Sequence, residues 1–328
     1  MFDVVAVGAL NLDYIAPLPA GSPLPGPLGT ETAVPEDVVV ALLPRLEASG
    51  VTVTAGGSSF NVVEALSACD LGLSLGYVGV AGAGFNGFAD RGDVDLSVLG
   101  HSSRRPGTCL ALTHDGDRTL LTHIGANEET ARYLAGRFDE VLAYLARARV
   151  VHVTSFLDPE TPAVLLRLLG ALRERAPGVV ITVDPGHVWC AEPTPEILGI
   201  IGLADHLLLN RAEQELLEGH RFGATRLVKA PGGITVVAGD EYFVVSRTPL
   251  TPDEIADSTG AGDVFAAGLL AMLVAGSPHP RNLEQGVQLG MCLVRHKLRH
   301  RGAAGHPGFA ALARSFRDPG PSEADRHP

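Results

Sequence analysis

The chain has 328 residues, 46% hydrophobic and 19% charged, with a formal net charge of −12 at pH 7. That composition excludes a disordered chain, and its acidity argues against a nucleic-acid partner, which would require a basic face. No apolar run approaches the ~20 residues that span a bilayer, and lysine occurs only at Lys229 and Lys297 with no Gly-Lys pair, which excludes a Walker-type phosphate loop.

In chain order, MFDVVAVGAL carries an acid and no basic leader, and reads as a buried strand over 4–10 rather than a signal peptide. Asn11 and Asp13 follow it. Residues 14–54 open with the Pro/Gly-rich APLPAGSPLPGPLG and end in a helix, EDVVVALLPRLEA, and a short strand. GGSSFN (Gly56 to Asn61) then leads into a helix starting near Asn61, and LSLGYVGVAG (73–82) is the next strand. Residues 103–125 read as a β-hairpin around an Asp-Gly turn. From 137 onward, helix RFDEVLAYLARA and strand VVHVTSF begin an alternation that continues through PAVLLRLLGALRER, VVITVDP, ADHLLLN, AEQELLEG, RLVKAP and ITVVAG.

Such alternation predicts an α/β fold: a doubly wound, mainly parallel sheet with helices on both faces and ligands at the carboxyl ends of its strands. The segments 14–54 and 103–125 fall outside the alternation and are expected to form a small β lid. One domain over 1–316 is expected, and the polar, Pro-rich residues 317–328 read as a disordered tail. The four scattered cysteines, Cys69, Cys109, Cys190 and Cys292, form no C-x-x-C and read as buried apolar groups. They suit a reducing compartment, so a cytoplasmic location is expected.

The most informative run is DSTGAGD, Asp257 to Asp263, followed at once by VFAAGLLAMLVAG. A glycine-rich turn opening a helix presents unpaired N–H groups to an anion, with the positive end of the helix dipole behind them. A carboxylate at that place would repel a resting phosphate, which fits a base that deprotonates an attacking hydroxyl. Read locally, Asp257, Ser258 or Asp263 is equally a helix cap. The same ambiguity holds elsewhere. Asp13 suits a turn cap, Asn210 with Glu213 has capping-box spacing, and Gly56 and Gly57 suit a ligand-free turn.

Other patterns lead nowhere. GAGFNG (Gly82 to Gly87) satisfies G-x-G-x-x-G but lacks the long helix and the later acid that a dinucleotide site needs. His296 and His300 in RHKLRH lack a third ligand and read as a solvated basic face. His187 and Trp189, after VDP, suit either a ligand wall or simple packing.

The NLD after the first strand, GGSSFN, the N-x-x-E of Asn210 to Glu213 and DSTGAGD together resemble the ribokinase/PfkB carbohydrate kinase family, which includes adenosine and other nucleoside kinases. The similarity runs over nearly the whole chain, and DSTGAGD fits the family's C-terminal signature throughout. Ser58, Ser59 and the inserted helix before them look more like the adenosine kinase branch. The resemblance implies a ribokinase-like fold with Asp263 as general base and the N–H groups of Gly260, Ala261 and Gly262 as an anion hole. It implies that Asn11, Asp13, Gly57 and Asn61 hold the acceptor, and that Asn210 and Glu213 organise Mg²⁺, Glu213 through water. Lys229 and Gly232 would contact the nucleotide, although Pro231 departs from the family's usual T-x-G or K-x-G turn. The stretch after Gly82 is also short and lacks the Asp usual there.

The implied cofactors are ATP and Mg²⁺, with a monovalent cation near Asp257. The implied activity is transfer of the γ-phosphoryl group to a primary hydroxyl of a sugar. The alternatives are a nucleoside kinase of the same mechanism and a catalytically silent sugar- or nucleotide-binding protein. The partners are then a small sugar or nucleoside and ATP, without nucleic acid or membrane, for a monomer or homodimer.

Overall fold

A computed structural model describes residues 1–17, 31–48, 50–89, 92–114, 117–275 and 280–317. The expected tail falls outside these from residue 318 onward. At the centre lies a nine-stranded sheet. In spatial order its strands are Glu241–Ser246, Gly233–Ala238, Thr225–Ala230, His206–Asn210, Val180–Asp184, Ala148–Thr154, Phe2–Val7, Leu75–Val78 and Val94–Asp95. From Thr225–Ala230 to Val94–Asp95 every neighbouring pair is parallel, and the other two strands add antiparallel at one edge.

Period-two alternation divides the core between the two faces. On Phe2–Val7, Val4 and Ala6 pack with the helices Ser58–Ala68, Ala261–Leu273, Pro280–Lys297 and Phe309–Arg317. Val5 and Val7 pack on the other face with Phe138–Leu145, Thr161–Arg175 and Pro195–Gly202. Both faces are therefore dry, which is why these strands read as nearly unbroken apolar runs.

A second, five-stranded sheet takes the order Glu31–Ala33, Asp117–His123, Gly107–His114, Asn11–Pro17, Thr52–Gly56. Helix Glu36–Ala48 covers it through Val39, Leu42 and Leu46, against Leu110, Leu112 and Leu121. Asn11 and Asp13, expected only to follow the first strand, thus belong to a strand of this second sheet. The helix after GGSSFN begins at Ser58, three residues earlier than its sequence suggests. Gly57 causes this: it caps the helix at φ 106°, and a Cβ there would lie 2.2 Å from the Ala9 carbonyl oxygen. The expected strand 73–82 is also split, its end Val80–Ala81 pairing with Gly100–His101 in a small separate sheet.

All four cysteines are free thiols, three of them buried. Among the described residues no helix is long and apolar enough to cross a membrane. Gly82 to Gly87 forms turns, with no helix opening from them.

Candidate active site

The DSTGAGD run sits where a loop from the edge of the sheet enters the buried helix Ala261–Leu273. Asp257 sets its shape: Oδ1 accepts from the Thr259 N–H at 2.8 Å, and Oδ2 accepts from the Gly302 N–H and Lys297 Nζ, each at 2.8 Å. Gly260 then takes the left-handed conformation, φ 72°, that starts the helix. Val264 N–H bonds back to Gly260 O at 2.9 Å, so the N–H groups of Gly262 and Asp263 lie in the open first turn. The Ala261 N–H already donates to Ser258 O at 3.3 Å. Of the three expected anion donors, it is the one engaged within the loop.

Asp263 is turned toward helix Ser58–Ala68, where Asn61 Nδ2 donates to its Oδ2 at 2.8 Å. On the other side of the turn stands Lys229, last but one in strand Thr225–Ala230. A Cβ on Gly262 would lie 3.6 Å from its Nζ. The ammonium pairs with Asp184 Oδ2 at 2.8 Å, both side chains under 20% exposed at 18% and 16%. Burial works against that charge, but Asp184, Glu213 and Asp263 outweigh it and hold the Lys229 pKa above the ordinary lysine value. Lys229 is therefore a fixed positive charge beside the Gly260–Gly262 turn.

Asn210 and Glu213 form a complete capping box: Asn210 Oδ1 accepts the Glu213 N–H at 2.9 Å, and Glu213 Oε2 accepts the Asn210 N–H at 2.7 Å. Burial, and then the charge of Asp184, raise the Glu213 pKa, with Lys229 and the Asn210 N–H opposing them. The helix-start reading of this pair is thus fulfilled, and its carboxyl still faces the Asp184–Lys229 pair. Among the described residues, no set of three or more His, Cys, Asp or Glu gathers closely enough to hold an ion alone.

Two clefts are lined by candidate residues, and one of them reaches this turn. One is mostly apolar, lined by Pro231, Ile234, Leu250, Phe265, Met291 and Val294, together with Lys229, Ala261, Gly262, Arg247 and Arg295. Gly232 is not in its lining; the turn presents Pro231 instead. The other cleft is polar and lies between the two sheets, lined by Asn11, Glu31, Gly57, Ser58, Thr122 and Asn127, with Ser155 and Leu157. Asp13 and Asn61 stand outside that lining. The Asp13 carboxylate lies against Gly56, so close that a Cβ there would come within 2.1 Å of it.

Some important residues were missed from the sequence. Asn127 fixes Asn11: its Nδ2 donates to Asn11 Oδ1 at 3.1 Å, while its Oδ1 accepts from the Leu10 N–H at 2.9 Å. Asp184 was legible only as an acid at the carboxyl end of a strand. Lys297, read as part of a solvated basic face, is buried with its ammonium turned inward. The two serines of GGSSFN separate in role. Ser59 is fully buried and bonds Val7 O at 2.8 Å and Thr154 Oγ1 at 2.9 Å, tying helix to sheet, while Ser58 faces the polar cleft. Trp189 is packing, 1% exposed with its indole N–H donating to Phe156 O at 2.9 Å, and His187 is exposed.

Residues 42–300 match the pfkB family of carbohydrate kinases. An uncharacterized sugar kinase of Archaeoglobus fulgidus is 27% identical over 67% of this chain and 89% of its own. The fold is similar to that of Anopheles gambiae adenosine kinase in complex with P1,P4-di(adenosine-5) tetraphosphate, at a TM-score of 0.77 and 18% identity over 93% of this chain and 98% of that one. The adenosine kinase of Sinorhizobium meliloti has a TM-score of 0.75 and 21% identity, covering 96% and 99%. Kinases of this family use ATP, generally with Mg²⁺. The chain belongs to the pfkB carbohydrate kinase family: it is a sugar or nucleoside kinase, a phosphotransferase acting on a hydroxyl group.

Proposed function

We propose that the protein transfers the γ-phosphoryl group of ATP to a primary hydroxyl of a sugar, with Asp263 as the general base. One observation carries this reading: the Asp263 carboxylate, held by Asn61, stands in the open first turn of a buried helix, close enough to Lys229 to feel its charge and next to Ala261 and Gly262, which line an apolar cleft. The apolar cleft suits a nucleotide base, and Lys229, Ala261 and Gly262 in its lining would meet the phosphates. The polar cleft suits hydroxyls, with Asn11 and Ser58 in its lining and Asn127 holding Asn11 in place.

Asp263 takes the proton of the acceptor hydroxyl as its oxygen bonds to the γ-phosphorus. The bond from that phosphorus to the bridging oxygen breaks, and ADP leaves. Backbone N–H groups of the turn and the Lys229 ammonium oppose the charge spread over the transferring group. Asn61 holds Asp263 in place, and Asp13 and Gly57 shape the acceptor side. Mg²⁺ suits the acids present, since it is commonly bound by one or two carboxylates together with substrate phosphates and water. Glu213, through water and steadied by Asn210, would hold it beside Asp184; the ion supplies further charge neutralisation when bound. The Asn11–Gly56 sheet would close as a lid and exclude water as a competing acceptor.

The lining of the polar cleft favours a sugar over a nucleoside. Of the aromatic candidates for a stacking shelf, Phe60 and Phe156 are 3% and 2% exposed and packed into the core, while the half-buried Tyr14 packs against the core of the five-stranded sheet and is not in the cleft lining. No aromatic residue lines the cleft, and residues 18–30 contain none. A screen of free sugars and nucleosides by ADP release decides this: sugars should turn over, and turnover confined to nucleosides would overturn the acceptor assignment.

A further inference from the structure

The resemblance implies a monovalent cation near Asp257, and the residues there do not fit one. Lys297 closes helix Pro280–Lys297, and its ammonium is already at Asp257, donating to the main-chain oxygen at 3.0 Å and to Oδ2 at 2.8 Å. It also reaches the His300 carbonyl at 3.5 Å. The Gly302 N–H takes Oδ2 as well, and the Thr259 N–H takes Oδ1. A metal ion sharing these oxygens would stand beside a fixed positive charge, with like charges at contact distance.

The ammonium itself has the needed properties. It resembles a potassium ion in size and charge, its side chain is 3% exposed, and it lies at the carboxyl end of a helix, where a cation is favoured. The same turn is stitched to the incoming loop by Ala256 N–H to Leu298 O at 2.8 Å. Burial pushes the Asp257 carboxyl up, but the bonds from Lys297, Thr259 and Gly302 outweigh it and bring its pKa down to about 2. The Asp257 carboxylate is thus ionised at any working pH, and through the Asp257–Thr259 bond it sets the shape of the turn that precedes Gly260.

We infer that Lys297 is a tethered cation, a positioning residue whose ammonium does at Asp257 what a bound monovalent ion would otherwise do, so the kinase needs no such ion. The inference rests on reading Ser258–Gly262 as the phosphoryl cradle.

The test compares the full-length enzyme with Mg²⁺–ATP in potassium chloride and in choline chloride. Wild-type turnover and Tm should be the same in both salts, within about twofold for turnover. Lys297→Ala should lose roughly 10- to 100-fold in kcat with a smaller change in KM, as expected for a displaced catalytic turn. Potassium, ammonium or methylammonium should restore part of that activity and raise the variant's Tm, which a merely structural ion pair would not allow. Severalfold potassium activation of the wild type overturns the inference, and this arm decides alone if the variant does not fold. A loss in Lys297→Ala that no cation restores also overturns it. Asp263→Asn run alongside separates the two claims: an active Asp263→Asn defeats the cradle reading itself, whereas an inactive one with a potassium-dependent wild type defeats only the role of Lys297.

Discussion

Asn61 Nδ2 donates a 2.8 Å hydrogen bond to Asp263 Oδ2, joining the first turn of one buried helix to the first turn of another. A carboxylate held by one oxygen presents the other in a fixed direction, which a general base requires. In the proposed mechanism Asn61 therefore serves the base before it serves the acceptor. Asn61→Ala should lower kcat by about 10- to 100-fold with little change in KM, the signature of lost alignment rather than lost binding. Asn61→Asp should be worse and should move the acid limb of the pH–rate profile upward, since a second carboxylate at 2.8 Å disfavours ionisation of the first. Steady-state kinetics from pH 5 to 9 measure both; an unchanged profile would remove Asn61 from this role.

Lys229 links stability and chemistry. Replacing it with Met leaves Asp184 and Glu213 facing each other without their shared cation, at a cost on the order of 3 kcal/mol. Adding Asp184→Asn should return most of that stability by removing the stranded charge. Activity should not return, because the positive charge 3.6 Å from the Gly262 position is still missing. Urea unfolding paired with turnover on the two single variants and the double variant tests this; recovery of both together would make the pair purely structural.

Gly57 is fixed by backbone geometry. At φ 106° with the Ala9 oxygen 2.2 Å from the site of a Cβ, Gly57→Ala must shift either helix Ser58–Ala68 or the residues after the first strand. A loss of more than about 2 kcal/mol is expected, read as a lower urea midpoint at unchanged slope.

Stability should also fall in acid through His152. The ring is fully buried, and burial, aided by the Lys229 charge and opposed by Asp184, lowers its pKa to about 4. Because the folded pKa lies below the unfolded value of about 6.5, the unfolded chain binds the extra proton between these limits. Stability is therefore complete above pH 6.5 and declines as pH falls toward 4, by up to about 3 kcal/mol from this group. His206, whose pKa is also lowered by burial, acts in the same direction. Urea midpoints between pH 7 and 4 should show a slope that becomes shallower in His152→Gln; equal slopes would contradict the assignment.

The parallel sheet was legible because its strands are buried on both faces and read as dense apolar runs. Helix Glu36–Ala48 was legible to the residue, from its acidic start and apolar spacing. Strand Glu241–Ser246 was not, because at the sheet edge Tyr242, Phe243 and Val244 are all exposed and leave no alternation to read. Within the site, DSTGAGD announced itself, since a glycine turn, an acid and a buried helix coincide there. Lys297 and Asn127 did not. Their partners lie 40 and 117 residues away in sequence, and only the folded chain brings a lysine from an apparently basic surface run to Asp257.

The most direct test of the central claim is turnover of Asp263→Asn by ADP release, with acceptor binding followed by calorimetry. The side chain keeps its size, so acceptor affinity should change little, while kcat should fall at least a hundredfold because the proton acceptor is gone. Turnover within a fewfold of wild type would show that another group takes the proton, and the assignment of Asp263 would be wrong.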